Sequence, residues 1–190
     1  MKKLSVALYL MASLNCSWAA ESIITFVNGE QADLFWSPIS DQIRGGLSTI
    51  SMELKNDQSA SFFGELKLNE NNAGFASFRV KKEDGSFWNL QKKSALQVVS
   101  RGDGRTYKLL VKDEAANAAV EDYSWQALIP TSKNFKNVNL KISDLKPIYR
   151  GRIMKNVKPL DSSKIVEFGF QINDKKEGPF ELNLKSLNAL

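Results

Sequence analysis

Carboxylates are the main candidates for catalysis or metal binding in this chain, because most other catalytic groups are missing. The sequence has 190 residues, no histidine and a single cysteine, Cys16. This composition excludes Ser-His and Cys-His nucleophilic pairs, histidine-ligated zinc and an intrachain disulfide. The remaining options are acid–base catalysis by paired carboxylates, metal binding through oxygen ligands, and binding by aromatic or basic side chains.

Paired acids would suit glycoside hydrolysis, which needs two carboxyl groups about 5 to 9.5 Å apart across one groove. Glu53 lies between Met52 and Leu54 in an alternating segment, so its side chain is predicted to point outward. Glu121 and Asp122 are adjacent at a strand start and therefore point to opposite sides. We find no facing acid pair and expect no catalytic residue and no enzyme.

Aspartates in turn-rich segments could instead bind calcium through their oxygens. The candidates are Asp41, Asp103, Asp161 and Asp174. Their spacing matches no calcium-binding motif, so we expect neither a metal site nor a bound cofactor.

Two glycine-containing motifs invite a functional interpretation, and turn chemistry explains both. The run RGDGRTYKL at 101–109 contains an Arg-Gly-Asp adhesion tripeptide, but glycines on both sides of Asp103 indicate a tight connection between strands. Gly45 and Gly46 are not followed by the lysine, the serine or the helix of a phosphate-binding loop. They predict a positive φ angle or a close backbone approach.

Exposed tryptophans can bind sugars by stacking on their rings. Trp125 lies on the apolar face of its predicted strand and is assigned to the core. Trp88 lies in the turn-rich stretch 84–90, where we expect an exposed ring. It is the one candidate platform for a carbohydrate.

The elements that must position these residues are predicted to be short β-strands. Apolar and polar residues alternate with a period of two, and helical periodicity is nearly absent. The predicted strands are 23–27, 47–54, 61–68, 74–80, 96–100, 106–111, 123–129, 138–142, 166–172 and 180–184. The longest irregular stretch is 144–163. This pattern predicts an all-β fold, a β-sandwich or jelly roll in a single domain.

The N-terminal residues have the pattern of a secretory signal peptide. A basic start precedes an apolar run at 4–14, and small residues suit cleavage after Ala19. The run is too short to span a membrane. Lipidation of Cys16 is the alternative, disfavoured by the Ser13-Leu14-Asn15 approach. We expect a signal peptide at 1–19, a domain at 20–190, and a periplasmic or secreted protein.

The charge balance argues against a nucleic-acid partner. The chain carries 26 Lys and Arg against 21 Asp and Glu, a net charge of +5. Loss of Lys2 and Lys3 with the signal peptide would leave +3, and the basic pairs at 81–82, 92–93 and 175–176 are far apart in sequence.

Six segments after Trp36 together resemble the complex I intermediate-associated protein 30 family. They are DQIRGGLS at 41–48, FFGELKL at 62–68, NAGFASFR at 72–79, RGDGRTYKL at 101–109, YRGR at 149–152 and GFQINDKKEGPFELNLKSL at 169–187. The resemblance covers about 35–187 and implies a galactose-binding-like β-sandwich. At Arg44 the chain departs from the methionine usual in the family. The resemblance to this family implies a chaperone role in the assembly of mitochondrial respiratory complex I. This chain instead has the pattern of a secretory leader.

These observations predict a non-enzymatic, exported binding module whose partner is a protein undergoing assembly or folding at the cell envelope. The alternative is a carbohydrate-binding β-sandwich that binds a glycan. The candidate partner-binding or loop-organising residues are Asp41, Arg44, Trp88, Arg101, Asp103, Arg150 and Arg152. We expect five polar residues mostly to hold loops together at one end of the sandwich, and these are Asp41, Arg101, Asp103, Arg150 and Arg152.

Overall fold

The computed structural model describes residues 20–26 and 33–190, and these residues form an almost entirely β structure. The expected signal peptide at 1–19 lies outside the described residues. The strands are β1 (Glu21–Thr25), β2 (Leu34–Ser40), β3 (Thr49–Lys55), β4 (Ser59–Leu66), β5 (Ala76–Lys82), β6 (Ala95–Gly102), β7 (Thr106–Asp113), β8 (Ser124–Pro130), β9 (Lys136–Lys141), β10 (Lys146–Tyr149), β11 (Arg152–Ile153), β12 (Ile165–Ile172) and β13 (Gly178–Ala189).

The strands form two antiparallel sheets. The first has the order β3-β4-β13-β6-β9, with β1 pairing to the last part of β13, and the second has the order β11-β10-β8-β7-β12-β5-β2. Short 3₁₀ helices occupy Asp41–Arg44 and Ile142–Asp144, and the α-helix α1 occupies Glu114–Ala118. No helix in the described ranges has the length and apolarity of a membrane span.

The core lies between the two sheets, where alternate residues of each strand meet. Phe62 of β4 contacts rings from the opposite sheet, with centroid distances of 4.7 Å to Phe78 and 6.1 Å to Phe170. Leu109 and Leu184 are fully buried in the same core. Each sheet can therefore bury its apolar face against the other sheet and turn its polar face outward. Alternation of apolar and polar residues encodes a sandwich in this way. The predicted all-β sandwich is confirmed.

The structure differs from the predicted elements mainly at prolines and at a bulge. β2 and β10 were not predicted, and both contain a proline, Pro38 and Pro147. Between Ile165 and Glu167 the pairing of β12 with β7 shifts register. Ile165 is consequently fully buried, while Val166, which strict alternation in the predicted strand 166–172 would place inward with Phe168, is only half-buried.

The positive φ angle predicted for the paired glycines occurs at Gly45, whereas the close neighbour of Gly46 is a side chain rather than backbone. Gly45 has a φ of +79° and ends the 3₁₀ helix in the left-handed region. Gly46 lies so close to Asp41 that a Cβ at this position would overlap the carboxyl group.

Candidate functional site

Asp41 is buried and holds three chain segments together. Its carboxylate accepts hydrogen bonds from the Ser48 backbone N–H at 2.9 Å and from the Ser48 hydroxyl at 2.7 Å. It also accepts a hydrogen bond from the backbone N–H of Phe75 at 3.2 Å. These contacts join the end of β2 to the starts of β3 and β5. Arg44, at the end of the same 3₁₀ helix, is exposed.

Asp103 organises the β6–β7 turn in a similar way. One carboxylate oxygen accepts from the Arg105 backbone N–H at 2.9 Å. The other accepts from the Tyr107 hydroxyl and from the Glu181 backbone N–H, both at 2.9 Å. The carboxylate therefore connects this turn to the first residues of β13.

The two arginines that flank Asp103 have different surroundings. Arg101 lies at the end of β6, pairs with Asp57 at 3.1 Å and stacks over the Phe135 ring. Arg105 forms an ion pair with Asp174 at 2.6 Å and donates to backbone carbonyls that include that of Pro179. Arg105 was not singled out in the sequence, although it makes more contacts with the loops than Arg101 does.

Arg150 and Arg152 lie at the opposite end of the sandwich. β10 pairs with the first residues of β8, where Ile148 faces Ser124, whereas the last residue of β8 pairs with Thr106 next to the Asp103 turn. Both arginines are exposed in the hairpin between β10 and β11. The expectation that the polar candidates gather at one end is therefore wrong for this pair.

Trp88 is buried, so the expectation of an exposed ring is wrong. Trp88 is only 8% exposed, and its ring packs edge-on against the Phe168 ring with centroids 5.0 Å apart. Backbone hydrogen bonds in both directions connect it to Ile165. The bridge to Ile165 draws a turn-rich segment onto the core and removes the proposed stacking platform.

A groove of about 460 Å³ lies on the outer face of the six-stranded sheet. We call it the Phe63 groove because Phe63, which is 38% exposed, is its one outward-facing aromatic side chain. Its lining also includes Lys55, Ser61, Gly64 and Pro179.

The Phe63 groove brings together three carboxylates that are distant in sequence, Glu53, Asp103 and Glu181. Each already has partners: Glu53 pairs with Lys55 at 2.6 Å, and Glu181 accepts from the Ser61 hydroxyl at 2.8 Å. Asp103 is held in its turn as described above. Within the described residues, no group of three or more acidic or cysteine side chains is arranged to hold a metal ion.

The outer face of the seven-stranded sheet is a second candidate surface. Two cross-strand rows form most of it, one of Ile39, Ser77, Gln171, Lys108 and Leu128, the other of Ser37, Arg79, Gly169, Leu110, Gln126 and Lys146. A third row adds Phe35, Lys81, Glu167 and Lys112. We call these three rows the seven-stranded face.

An ion-pair cluster lies at the centre of the seven-stranded face. Arg79 pairs with Glu167 at 2.8 Å and donates from Nε to the Ser77 hydroxyl at 2.8 Å. Lys81 approaches the same carboxylate at 3.3 Å. Arg79 lies against Gly169, where a Cβ would be 2.7 Å from its Cδ. The glycine therefore makes room for an arginine that lies flat on the sheet.

Two large apolar side chains of the seven-stranded face remain open to a partner. Phe35 and Leu128 are each 59% exposed. Among the described residues, Gln126 Oε1 is a buried acceptor without a hydrogen-bond partner. Burial lowers the pKa of Lys108, which lies next to Leu128 across the sheet.

The seven-stranded face was not predicted from the sequence. Its polar residues occupy the outward positions of several correctly predicted strands, including Lys108 and Gln126, so the pattern could have indicated an outward polar surface. The order of the strands, which places Arg79 next to Glu167, depends on pairings between residues 88 positions apart.

The two packed antiparallel sheets give the protein a galactose-binding-like β-sandwich fold. The model of the complex I intermediate-associated protein 30 family matches residues 24–184. The chain belongs to that family, as its sequence motifs predicted.

Two relatives show how far this similarity extends. An uncharacterized protein of Schizosaccharomyces pombe is 28% identical over 167 residues, which cover 80% of this chain and 76% of the relative. The mitochondrial complex I intermediate-associated protein 30 of Mus musculus is 25% identical over 163 residues. That match covers 78% of this chain and 50% of the mouse protein, so this chain spans about half the length of the mouse protein.

Solved structures with the same fold include carbohydrate-binding modules of Clostridium thermocellum. A family 11 module in complex with a β-1,3-1,4-mixed-linked tetrasaccharide has a TM-score of 0.65 and 15% identity, covering 92% of this chain and 97% of the module. A family 30 module has a TM-score of 0.60 and 11% identity, covering 90% and 97%. At these identities the likeness establishes the fold alone.

Proposed function

We propose that this protein is a non-catalytic binding module, exported to the cell envelope, which binds a protein partner during assembly or folding. Membership of a family that includes a complex I intermediate-associated protein supports an assembly role. The leader-like N-terminal sequence supports export. The three acids of the Phe63 groove are all engaged, which favours binding over acid–base catalysis.

The observation that carries this proposal is the composition of the seven-stranded face. Phe35 and Leu128 are large apolar side chains left 59% exposed, and burying the exposed part of each would contribute about 1–2 kcal/mol to association. Between them, the Arg79–Glu167 pair is already ordered, so a partner would not have to immobilise these side chains. An apolar contact combined with prepared polar groups fits a protein interface.

Site-specific photo-crosslinking tests the proposal. A photo-crosslinking amino acid replaces Phe35 or Leu128 in the protein expressed in its own host, and Leu54, which is 45% exposed on β3 of the other sheet, is the matched control position. We expect one discrete protein adduct from the two seven-stranded positions and none from the control position. Equal adducts from all three positions, or no protein adduct, would contradict the proposal.

A carbohydrate-binding role is the second candidate, and the Phe63 groove is the observation that favours it. A half-exposed aromatic ring lies beside Glu181, and the neighbouring Asn183 is 6% exposed with an Oδ1 that lacks a partner among the described residues. A ring for stacking with nearby acceptors for hydroxyl groups is a usual arrangement for sugars. Calorimetric titration with mixed-linked β-glucan oligosaccharides, comparing the parent with Phe63→Ala and Leu54→Ala, distinguishes this role. Saturable binding lost only with Phe63→Ala would favour the glycan.

A further inference from the structure

One segment of the chain holds more positive charge than the whole protein. Residues 133–158 contain eight Lys and Arg and one acid, Asp144, so the segment carries +7 while the whole chain carries +5. The remaining 164 residues therefore carry −2. The eight cations are Lys133, Lys136, Lys141, Lys146, Arg150, Arg152, Lys155 and Lys158.

All eight cations are exposed, and none forms an ion pair within the described part of the chain. The cations that do form ion pairs lie elsewhere, as in Arg79–Glu167 and Arg105–Asp174. The concentration of these cations in one segment that holds a single acid, Asp144, leaves a net positive potential there. An unbalanced potential of this kind is expected to attract an anionic partner.

The fold places this segment along one edge of the sandwich. β9 is the last strand of the six-stranded sheet, and β10 and β11 end the seven-stranded sheet. Only residues 142–145 separate β9 from β10, so these two edges lie on the same side. We call the surface formed by residues 133–158 the basic edge.

The hairpin of the basic edge combines charge with an exposed apolar side chain. Arg150 and Gly151 both have positive φ angles, +47° and +79°, which makes a tight two-residue turn between Tyr149 and Arg152. The Arg150 guanidinium lies over the Tyr149 ring, 5.1 Å from its centroid. Ile153, next to Arg152, is 64% exposed.

We propose that the basic edge docks this protein on an anionic phospholipid membrane surface. Lysine and arginine side chains near such a surface contribute about 1 kcal/mol each through attraction to the headgroups. Ile153 and Tyr149 supply the apolar and amphipathic contacts that a headgroup region accepts. The cations are spread along two sheet edges rather than lining a groove, which suits a broad surface better than a narrow strand-like ligand. This proposal is independent of the protein partner on the seven-stranded face.

Vesicle co-sedimentation tests the proposal with three versions of the full-length chain. They are the parent, the edge variant Arg150→Glu/Arg152→Glu/Lys155→Glu, and the control variant Arg44→Glu/Lys92→Glu/Lys176→Glu. The six substituted residues are all exposed, and the two variants have the same net charge. Since all three proteins share one N-terminal sequence, differences in binding report on the edge.

We expect the parent and the control variant to bind vesicles of phosphatidylcholine and phosphatidylglycerol at low salt, and not vesicles of phosphatidylcholine alone. The edge variant should bind about tenfold more weakly or worse, and about 0.5 M salt should release the parent. Equal binding by both variants would overturn the proposal, as would failure of the parent to bind anionic vesicles.

A single apolar substitution separates docking on a membrane from simple charge attraction. Ile153→Ala leaves every charge in place and removes an exposed side chain, so the fold should keep its melting temperature. We expect a several-fold loss of affinity for anionic vesicles. Unchanged vesicle affinity together with tight binding to an acidic polypeptide such as polyglutamate would assign the basic edge to a protein partner and refute the membrane proposal.

Discussion

The carboxylate of Asp41 occupies the space that a side chain at residue 46 would need, and Gly46 leaves that space open. Asp41 can therefore reach the Ser48 N–H and hydroxyl and join three loops. Gly45 is needed for a different reason. A Cβ at this position would meet no other atom, but the backbone has a positive φ angle, which favours glycine.

Gly46→Ala is expected to destabilise the protein more than Gly45→Ala. The new methyl group must displace the Asp41 carboxylate and break buried hydrogen bonds, which should cost about 2–4 kcal/mol. Gly45→Ala has only the left-handed backbone penalty of about 1–2 kcal/mol. Denaturant unfolding of both variants measures the difference. Equal losses would show that displacing the Asp41 carboxylate costs no more than the strained backbone at residue 45.

Asp103→Ala should lower the melting temperature. The substitution leaves the hydroxyl of Tyr107, which is only 2% exposed, and the Glu181 N–H without their acceptor, at a cost of about 1–3 kcal/mol. Asp103→Asn, which keeps one oxygen acceptor, is the matched control and should lose less. If Asp103→Ala kept its stability while partner binding was lost, Asp103 would act in binding instead.

High pH should weaken the fold through Tyr107. Burial, reinforced by the Asp103 carboxylate, raises the pKa of Tyr107 above its ordinary value of 10.0. The unfolded chain releases this proton near pH 10 while the folded chain retains it. The free energy of unfolding should therefore fall by about 1.4 kcal/mol per pH unit above pH 10.

Tyr107→Phe removes this contribution and should flatten the decline in unfolding free energy above pH 10. Tyr149→Phe, which changes a half-buried tyrosine of β10, is the control and should keep the steeper decline. Urea unfolding at a series of pH values measures both. Parallel curves for the parent and Tyr107→Phe would contradict the assignment.

Local alternation predicted most of the fold because each half-buried strand repeats with a period of two. The predicted strand 106–111 is an example, since its alternate residues Tyr107, Leu109 and Val111 are all buried. β2 was not predicted because it contains Pro38, which central strands exclude. An edge strand tolerates proline, and β2 is the last strand of its sheet.

The candidate sites were harder to predict because pairings distant in sequence create them. Trp88 has turn-forming neighbours, and only the bridge to Ile165 shows that it is buried. The three acids of the Phe63 groove likewise meet through the β3–β4 and β4–β13 pairings and the β6–β7 turn. The basic edge could have been predicted from the sequence, because its charge lies in one continuous segment. The net charge of the whole chain is smaller than that of this segment and therefore does not reveal it.

Glu167→Ala should destabilise the protein more than Arg79→Ala. The Glu167 side chain is 8% exposed and faces two cations, so its removal leaves Arg79 and Lys81 without their shared partner. Breaking a buried pair in this way costs about 3–5 kcal/mol. Arg79→Ala leaves Glu167 paired with Lys81 and should cost less. Thermal unfolding compares them, and the reverse order would show that Lys81 does not compensate.

Trp88→Ala should reduce stability without a specific effect on sugar binding. The ring is buried against Phe168, and removing a buried aromatic side chain costs about 3–5 kcal/mol. Phe63→Ala removes a partly exposed ring from the Phe63 groove and should cost much less stability. Melting curves and oligosaccharide titrations of both variants, made well below their melting temperatures, separate the two effects. Loss of glycan affinity in Trp88→Ala with an unchanged melting temperature would return Trp88 to the role of an exposed sugar platform, which its burial opposes.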